Sequence, residues 1–507
     1  MSAESANSLA SALAGGRFAY VVELVASALT REARLLDVAA RLARVPAVVA
    51  GSVTSYAGGS LGHDPLRVGT AARARGLTPN IHLTCASQDR HGLRKILEDL
   101  AALDLHNVFA LTGDYPTARP GGAEPPAAVF DLDSVQLVRL IAELRRRGTP
   151  FHVAVAVSPF KWVEADCVYQ YLKLDKKLAA GADYAITQVG WDARKFAELK
   201  RWMDGRQRSV PLLGNVYVLG PRAAERMGKG QPPGCWVSPA LLKRVRAESQ
   251  APDGGLRARL ERAARTVAVL RGLGYAGAYI GGTHDAEHVQ WIIRRAEALA
   301  PRWEDCAAEL DFGRDGFYAY ADVPWRHATA RHHQVTARVE APTEAARSGV
   351  APPRPALVPR ALDALGRLVP LTSDTAARRV LTRLARAVDR RPAVAALLER
   401  VELAVKQPAF GCQACGNCVL GHLEYVCPQT CPKQLRNGPC GGTDMGRCEV
   451  VDQPCIWNRV YERAVAAGRV EALGVFIPAP DRALRGTSSW LNYFLERDQR
   501  PGRQREG

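Results

Sequence analysis

Short apolar runs alternate with longer amphipathic stretches from the N-terminus to about residue 300. In the stretches 90–103 and 134–148, apolar residues recur every three or four positions, which predicts helices. The runs between such stretches are rich in β-branched residues, and most are typical of strands buried on both faces. The predicted strands cover residues 17–25, 47–53, 79–84, 107–112, 151–157, 183–188, 210–216 and 276–282. Strands alternating with helices in this number favour an α/β fold, a parallel (β/α)8 TIM barrel; a doubly wound sheet with extra strands is the alternative.

The pattern changes near residue 300, and the rest of the chain divides into two further regions. Ala-, Pro- and Arg-rich sequence out to about residue 360 indicates a linker with short helices, and residues 374–405 have the period of a helix. A dense run of cysteines follows, beginning with "GCQACGNCVLGH". We therefore expect a barrel over 1–300, a linker and helical region over 301–405, and a small Cys-rich metal-binding module with a C-terminal tail over 406–507.

The composition is that of a soluble globular chain, since 47% of the 507 residues are hydrophobic and 23% are charged. The N-terminal residues lack the basic start and apolar run of a signal peptide, and no apolar stretch is long enough to span a membrane. We expect a cytoplasmic protein that does not bind membranes. In that reducing compartment, clustered cysteines are metal ligands more often than disulfides.

The formal net charge of +17 raises nucleic acid as a partner. However, the arginines are scattered through amphipathic helices such as "RKFAELKRWMD", and no basic stripe is interleaved with aromatic residues. We therefore expect a solvated basic surface and no nucleic acid partner. Such a surface still favours acidic small molecules or an acidic protein partner.

Polar side chains recur at the ends of the predicted strands, where barrels of this kind carry their chemistry. These residues are Glu23, Thr54, His82, Thr84, Asp114 and Gln188. Burial in a strand would raise the pKa of the Glu23 carboxyl toward that of a useful general acid. Taken alone, Glu23 is also typical of an ion pair, and His82 of a hydrogen-bonded core histidine. Their recurrence from strand to strand favours one shared site.

The cysteines near the C-terminus predict a metal site. They are Cys412, Cys415, Cys418, Cys427, Cys431, Cys440, Cys448 and Cys455. The first three follow a C-x2-C-x2-C pattern and precede two Cys-Pro steps, which resembles an iron–sulfur cradle more than the separated C-x2-C knuckles of a zinc site. We expect a [4Fe-4S] cluster, with zinc as the alternative and unligated or disulfide-bonded cysteines as the third interpretation. The pairing of the cysteines into sites stays open.

Three short motifs in order, "HLTC" (82–85), "NVFALTGDYP" (107–116) and "GADYAITQ" (181–188), resemble methylenetetrahydrofolate reductase, a flavin-dependent (β/α)8 barrel. The resemblance covers about residues 15–300. It implies that Glu23 protonates folate N10 as the five-membered ring opens. It also implies that Asp114 lies beside the flavin pyrimidine and influences folate binding, and that Gln188 binds the pterin. Thr54, His82 and Lys177 would contact the flavin.

The sequence departs from this family's pattern at several flavin contacts. Thr112 stands where the best-known members have arginine, and Ser158 where a tyrosine is usual. Lys173 and Lys176 replace a common asparagine and arginine. By the resemblance, these positions contact the ribityl, phosphate and adenine parts of the cofactor. We expect FAD, and FMN stays the alternative because the departures fall on those contacts.

A second resemblance concerns the C-terminal region. "CPQTCPKQLRNGPCGG" and "SSWLNYFLERD" are similar to the cysteine-rich module that accompanies methylenetetrahydrofolate reductase in acetogen-like bacteria. This implies that the module relays electrons from a reduced ferredoxin-like carrier to the flavin; a zinc scaffold is the alternative. The family resemblance also implies that NADH could bind over the flavin in the folate site. No G-x-G-x-x-G stretch marks a separate nicotinamide domain. Homo-oligomerisation is left open.

Together these resemblances predict an enzyme that reduces 5,10-methylenetetrahydrofolate to 5-methyltetrahydrofolate. One rival is a folate-dependent methyltransferase barrel with a corrinoid partner, but the sequence has no cobalamin-binding motif. The other is a non-catalytic metal or electron-transfer scaffold. The joint presence of Glu23, Asp114 and Gln188 argues against the scaffold.

Overall fold

Eight parallel strands close into a barrel in the computed structural model, which describes residues 7–27, 30–55, 62–117, 124–320 and 375–498. In chain order, β1 to β8 are Ala19–Leu24, Val48–Val53, Pro79–Thr84, Asn107–Leu111, His152–Val157, Tyr184–Thr187, Leu212–Tyr217 and Gly277–Gly281. Each strand pairs with the next, and β1 closes the barrel by pairing with β8. The predicted TIM barrel is confirmed, and all eight predicted strands are present with ends that differ by at most two residues.

Both helices predicted over 90–103 and 134–148 are present among the helices that precede, connect and follow the strands. These helices are α1 Ser8–Ala14, α2 Glu32–Leu42, α3 Pro65–Arg73, α4 Arg90–Ala102, α5 Ser134–Arg146, α6 Glu164–Ala180, α7 Ala193–Asp204, α8 Pro221–Gly228, α9 Pro239–Glu248, α10 Leu256–Gly272, α11 Ala286–Leu299 and α12 Trp303–Glu309. Asp133 caps α5 through a reciprocal pair of bonds with Gln136. Three helices, α8 to α10, lie between β7 and β8.

The N-terminal helix α1 covers one end of the barrel. Its apolar residues Leu9, Ala12 and Leu13 pack into the buried core with residues such as Ala19 and Val21 of β1. Because these partners lie early in the strand, α1 sits at the end where the strands begin. The carboxyl ends of the strands are the opposite end, where barrels of this type carry their active sites.

The chain divides into two compact units by its contacts. One unit comprises residues 1–340 and 439–452, and the other comprises residues 341–438 and 453–507. Residues 439–452, which we name the docking segment, therefore belong to the barrel unit although they lie within the cysteine-rich sequence. We expected residues 406–507 to form a single module. In the structure, however, two cysteines of that module, Cys440 and Cys448, lie in the docking segment and therefore in the barrel unit.

The second unit has two helices where the sequence predicted a single one over 374–405. They are Ala376–Asp389 and Pro392–Phe410. The break falls at Arg390 and Arg391, because Pro392 lacks a backbone N–H and starts the second helix. The predicted linker between the units lies mostly in residues 321–374, outside the residues that the structure describes.

The rest of the second unit is loop-rich and packs around Trp457, which is 1% exposed. Side-chain amides here pair with backbone as a neighbouring strand would. Asn437 donates to the Ile477 carbonyl at 2.8 Å and accepts from the Ile477 N–H at 2.8 Å. Asn417 does the same with Asp481 at 2.9 and 3.1 Å. These bonds replace the ladder of a sheet.

None of the helices that the structure describes is long and apolar enough to cross a membrane.

Candidate functional site

Glu23 lies near the carboxyl end of β1, beside Ser52 of β2 in the strand register. Burial raises the pKa of its carboxyl to about 7, and a hydrogen bond with Tyr279 partly opposes the rise. Gly281 of β8 leaves room for it, since a Cβ there would come within 2.9 Å of Glu23 Oε2. A carboxyl with this pKa holds its proton in part of the molecules at neutral pH, as a general acid must.

A hydrogen-bonded network runs inward from Glu23 through the barrel. Tyr279, which contacts Glu23, also lies 3.3 Å from His82 Nε2, and Ser52 Oγ lies 2.9 Å from the same nitrogen. Asn80 donates to Ser52 Oγ at 3.0 Å and accepts from the Tyr184 hydroxyl at 3.3 Å. Burial lowers the pKa of His82 to about 3, so the imidazole is neutral. His82 thus has the hydrogen-bonded core position that we weighed for it; its predicted flavin contact stays a prediction.

Thr54 and Gln188 stand just beyond the ends of β2 and β6, where the sequence placed them. Thr54 is buried, and its Oγ1 accepts from the Ala26 N–H at 3.0 Å. Gln188 is partly exposed, and its Oε1 accepts from the Val189 N–H at 2.8 Å. In this structure, therefore, the side-chain carbonyl of Gln188 is bonded to the backbone. Its predicted role toward a pterin stays a prediction.

The turn after β4 presents Asp114. It depends on Gly113, whose φ of +89° is a left-handed conformation and whose added Cβ would lie 2.9 Å from the Thr84 side chain. A larger residue at Gly113 would therefore strain the backbone and push against Thr84. This turn therefore sets the position of the Asp114 side chain.

Cys235 shows that the two predicted acids share one region. The pKa of its thiol is raised to about 12 by burial, with Asp114 and Glu23 adding to the rise and Lys161 opposing it. Charges influence a buried thiol in this way only when they lie near it. Asp114 and Glu23 therefore stand on the same side of the barrel. Sequence position alone did not identify Cys235 or Lys161, because neither lies at a strand end.

Three lysines, Lys173, Lys176 and Lys177, form a buried cationic face on α6. Lys177 Nζ donates to the Ala156 carbonyl of β5 at 2.6 Å. Burial lowers the pKa of both Lys176 and Lys177 to about 7; Lys173 lowers both further and Asp133 opposes. Within the described ranges, Lys176 makes no hydrogen bond or ion pair. A buried anion here would give Lys176 a partner and offset the charge of Lys173 and Lys177.

The docking segment is held on the barrel unit mainly through its backbone. Lys161 donates to the carbonyls of Gly441, at 2.8 Å, and Thr443. From α6, Lys173 donates to the Pro439 carbonyl at 2.8 Å. These lysines therefore hold the segment by three carbonyl oxygens.

Further bonds fix the same segment from α6 and from residue 314. Gln170 donates to the Cys440 carbonyl at 2.9 Å, and Asp166 accepts from the Gly446 N–H at 2.8 Å. Arg314 pairs with Asp444 through two bonds of 3.0 Å. Because these partners are more than a hundred residues apart in sequence and are largely backbone atoms, no local pattern identified them.

Near the carboxyl end of the barrel, the polar side-chain atoms Asn215 Oδ1 and Ser158 Oγ have no partner among the residues that the structure describes. Asn215 follows Gly214, whose absent side chain faces Leu270 of α10, so alternation along β7 directs Asn215 into the barrel. Its Oδ1 is buried and makes no hydrogen bond among the described residues, and the same holds for Ser158 Oγ after β5. With the lysine face of α6, these atoms fit a cofactor that carries both hydrogen-bonding groups and phosphate.

Four of the predicted metal ligands line one cavity of the second unit. They are Cys412, Cys415, Cys418 and Cys427. Lys406 Nζ lies 3.8 Å from Cys418 Sγ, and burial, with the other three thiols adding, raises the pKa of Cys427 to about 12. Over the described ranges, no group of three or more His, Cys, Asp or Glu residues forms a metal site.

The other predicted ligands lie elsewhere. Cys431 and Cys455 are buried in the second unit but do not line that cavity, and Cys440 and Cys448 belong to the barrel unit. The eight cysteines therefore lie in more than one place, and their role as metal ligands stays a prediction. The four that line one cavity coincide with the C-x2-C-x2-C motif and the next cysteine.

Two family models match the chain. Residues 9–229 match the model described as "Methylenetetrahydrofolate reductase", and residues 391–483 match the one described as "Methylene-tetrahydrofolate reductase C terminal". The resemblances that the motifs indicated in both parts of the sequence are thereby confirmed. The first match covers β1 to β7 with Glu23, Asp114 and Gln188, and the second covers the four-cysteine cavity.

Curated relatives carry the same name. The chain is 27% identical over 179 residues to "Methylenetetrahydrofolate reductase 2" of Schizosaccharomyces pombe, which covers 33% of this chain and 27% of the relative. It is 32% identical over 126 residues to "5,10-methylenetetrahydrofolate reductase" of Salmonella typhimurium, which covers 25% of this chain and 38% of the relative. The chain thus spans between a quarter and two-fifths of the length of these relatives.

Among solved structures, an uncharacterized protein from Clostridium thermocellum described as binding two copies of 5-methyl-5,6,7,8-tetrahydrofolic acid has a TM-score of 0.42. It is 10% identical in sequence, and the match covers 58% of this chain and 99% of that one.

Proposed function

We propose that the protein reduces 5,10-methylenetetrahydrofolate to 5-methyltetrahydrofolate, on the basis that residues 9–229 match the family model of methylenetetrahydrofolate reductase and residues 391–483 match the model of its C-terminal region. The observation that carries this proposal is Glu23, a carboxyl at the carboxyl end of β1 whose pKa is raised to about 7. The reaction needs a proton donor at the carboxyl end of the barrel, and a carboxyl with this pKa can act as one.

Glu23 acts as the proton donor. Before reduction, the five-membered ring of the substrate opens by breaking the bond between the one-carbon unit and N10, and N10 takes up a proton. Glu23 supplies that proton and becomes a carboxylate. The hydrogen bond from Tyr279 stabilises the carboxylate that forms, since it favours the charged form. His82 and Ser52 hold Tyr279 in place from the other side.

A flavin, when bound, supplies the hydride that converts the one-carbon unit to a methyl group. Lys173, Lys176 and Lys177 would hold its phosphate, and the unpartnered Ser158 Oγ and Asn215 Oδ1 offer bonds to its polar groups. Asp114 would lie at the pyrimidine end, and Gln188 would orient the pterin once its side-chain carbonyl leaves the Val189 N–H. We keep FAD as the first expectation and FMN as the alternative.

The second unit would deliver electrons. Cys412, Cys415, Cys418 and Cys427 share one cavity, and their spacing favours a [4Fe-4S] cluster over zinc. Lys406, close to Cys418, would offset part of the negative charge of thiolate ligands. We propose that these four cysteines would hold the cluster, which would pass single electrons from a reduced ferredoxin-like carrier to the flavin of the barrel; NADH, a hydride donor, would reduce the flavin directly. Zinc in the same cavity would make the unit a scaffold.

The experiment that tests the function compares Glu23→Gln with the wild type. Under anaerobic conditions, with reduced viologen as electron source, the wild type should form 5-methyltetrahydrofolate. Glu23→Gln should lower turnover by about 100-fold or more, the usual contribution of a general acid, while flavin stays bound and reducible. Glu98→Gln, an exposed glutamate on α4, is the matched control and should leave turnover unchanged. Near wild-type turnover by Glu23→Gln would contradict the assignment.

A further inference from the structure

Two helices of the second unit expose rows of large apolar side chains to solvent. We name these helices α13, Ala376–Asp389, and α14, Pro392–Phe410. Six of their residues are each between 41% and 61% exposed: Val380 and Leu384 on α13, and Val394, Leu397, Val401 and Val405 on α14. Their intervals of three or four residues place them along one side of each helix. Large apolar side chains grouped on a surface in this way mark an interaction site.

A row of arginines borders the apolar residues of α13. It also recurs at intervals of three or four residues and therefore follows one side of the helix; its members, all exposed, are Arg379, Arg383, Arg386 and Arg390. On α14, Arg400 is exposed and stands one helical turn from Leu397. We name the apolar rows together with these arginines the α13–α14 face. It combines apolar and positively charged surface.

The positive charge of this face is not neutralised by the unit that carries it. Among the residues that the structure describes, four of its side chains make no hydrogen bond or ion pair: Arg383, Arg386, Arg390 and Arg400. Arginines that stabilise the unit are paired instead, since Arg378 donates to Glu496 at 3.1 Å and Arg497 donates to Asp389 at 2.8 Å. The four unpaired guanidinium groups are therefore available to carboxylates of another molecule.

The α13–α14 face lies close to the four-cysteine cavity. Glu402 and Leu403 of α14 line that cavity, whereas Val401 and Val405 of the same helix are exposed on the face. A helix with its side chains is about 10 Å across, so one helix separates the face from the cavity. The same helix ends two residues before Cys412. A molecule bound to the face is therefore about one helix diameter from the cavity that the cysteines line.

The charge of the face and its place in the unit decide which partner it fits. A second copy of the chain would bring the same arginines against these, and like charges across an interface repel. A helix that binds a membrane surface commonly anchors with tryptophan or phenylalanine, whereas the exposed apolar residues here are valine and leucine. An acidic protein surface matches the face, because its carboxylates pair with the arginines while its apolar residues cover the valines and leucines.

We propose that a small acidic electron-carrier protein docks on the α13–α14 face; the inference rests on the proposed function, in which the four cysteines hold a redox site. Reduction of methylenetetrahydrofolate takes up two electrons and two protons. A carrier of one electron must therefore dock, give up its electron and leave twice in each turnover, so two carriers are oxidised for each 5-methyltetrahydrofolate formed. A small interface with exposed charge pairs suits this exchange, because it forms quickly and binds weakly.

The test measures turnover of the intact protein, with its flavin and metal, driven by a purified acidic [4Fe-4S] ferredoxin that has been reduced beforehand. Arg383→Glu with Arg400→Glu should raise the KM for this ferredoxin about tenfold or more at low salt, since each change replaces an attraction by a repulsion. Turnover with reduced viologen, and the iron and flavin contents, should not change. Arg17→Glu with Arg294→Glu makes the same change in net charge on exposed arginines of the barrel unit and should leave the KM within about twofold.

Two further comparisons separate the charged and apolar parts of the face. Raising the ionic strength from about 0.01 to about 0.15 M shortens the screening length from about 30 to about 8 Å, which should raise the KM of the wild type but not that of the double reversal. Leu397→Gln with Val401→Gln keeps the charge and places good helix formers at exposed positions. It should raise the KM about fivefold through lost apolar contact, and this rise should persist at the higher salt.

Several results would overturn the docking proposal. If the ferredoxin drives turnover but neither pair of substitutions on the face raises its KM, or if NADH drives turnover and the ferredoxin does not, the proposal is wrong and the function stands. If no donor, reduced viologen included, yields 5-methyltetrahydrofolate, the function fails, and calorimetric binding of the oxidised ferredoxin to the wild type and both variants decides the face. If sedimentation shows a dimer that Leu397→Gln with Val401→Gln dissociates, or if anionic vesicles bind the wild type but not the variants, the face has another occupant and the proposal is wrong.

Discussion

The barrel mouth and the four-cysteine cavity are both candidate sites, but they are built differently. At the mouth, Glu23, His82 and Tyr279 project from paired strands, so backbone hydrogen bonds fix their positions. Around the cysteines, the chain is held by side chains bonded to backbone, such as Asn437 to Ile477 and Asn417 to Asp481. The first site should therefore survive loss of any ligand, and the second should depend on its own ligand and on a few side chains.

Removing two cysteines should give the largest difference between the two units. Cys412→Ala with Cys415→Ala should abolish metal binding and unfold the second unit locally, because a loop-rich segment has little core of its own. The barrel should keep its flavin, and turnover with reduced viologen should persist. Iron and zinc analysis and the visible spectrum measure the metal, and limited proteolysis measures local unfolding.

Two outcomes bear on this comparison. If the double variant keeps its full metal content, these cysteines are not ligands. If metal is lost and turnover with the natural electron carrier falls while viologen-driven turnover persists, the second unit is a relay; persistence with both donors makes it a scaffold. Cys306→Ala, a cysteine of α12 far from any proposed ligand in sequence, is the control and should change neither metal content nor turnover.

Asn437 gives a smaller effect confined to the second unit. Asn437→Ala leaves the N–H and the carbonyl of buried Ile477 without these partners, and each such group costs about 1–3 kcal/mol. Hydrogen exchange should show faster opening in residues 453–498 and no change in the barrel strands. Asn458→Ala is the matched control, because Asn458 Oδ1 has no partner among the described residues. Equal effects of the two substitutions would contradict the proposed role of Asn437.

At the barrel mouth, Tyr279→Phe should shift a pH profile without unfolding the protein. The Tyr279 hydrogen bond lowers the pKa of Glu23, so its removal should raise that pKa and keep Glu23 protonated to higher pH. The descending limb of the activity profile should move to higher pH. Tyr275→Phe, whose hydroxyl donates to the Phe196 carbonyl instead, should leave the limb in place. If Tyr279→Phe leaves the descending limb unmoved, Tyr279 does not influence the pKa of Glu23.

The same contrast explains what the sequence could and could not predict. Strands buried on both faces are recognisable from composition, and polar residues at their ends identified Glu23, Asp114 and Gln188. Tyr279 was missed because an aromatic in a buried strand is indistinguishable from core, and only the closed barrel brings it to His82 and Glu23. Closure of the barrel pairs β8 with β1, and no local sequence pattern indicates that pairing.

In the cysteine-rich sequence, spacing identified the ligand type but not the grouping. Cys440 and Cys448 follow the motif in sequence, yet the docking segment that carries them is held by Lys161 and Lys173 of the barrel unit. Those bonds go to backbone carbonyls, which every residue has. The helix break before Pro392, in contrast, could have been predicted, because the proline is visible in the sequence. We nevertheless expected one helix over 374–405.

The pH dependence of kcat/KM for methylenetetrahydrofolate tests the central claim most directly, namely that Glu23 donates the proton. Reduced viologen in excess keeps electron supply from limiting the rate. Because the acid acts when protonated, and burial raises its pKa from the usual 4.5 to about 7, activity should be full below pH 6 and fall tenfold per pH unit above about pH 7. Glu23→Gln should be slow and lack this limb. A wild-type profile that stays level from pH 6 to 9, or a Glu23→Gln variant that keeps the limb, would contradict the account.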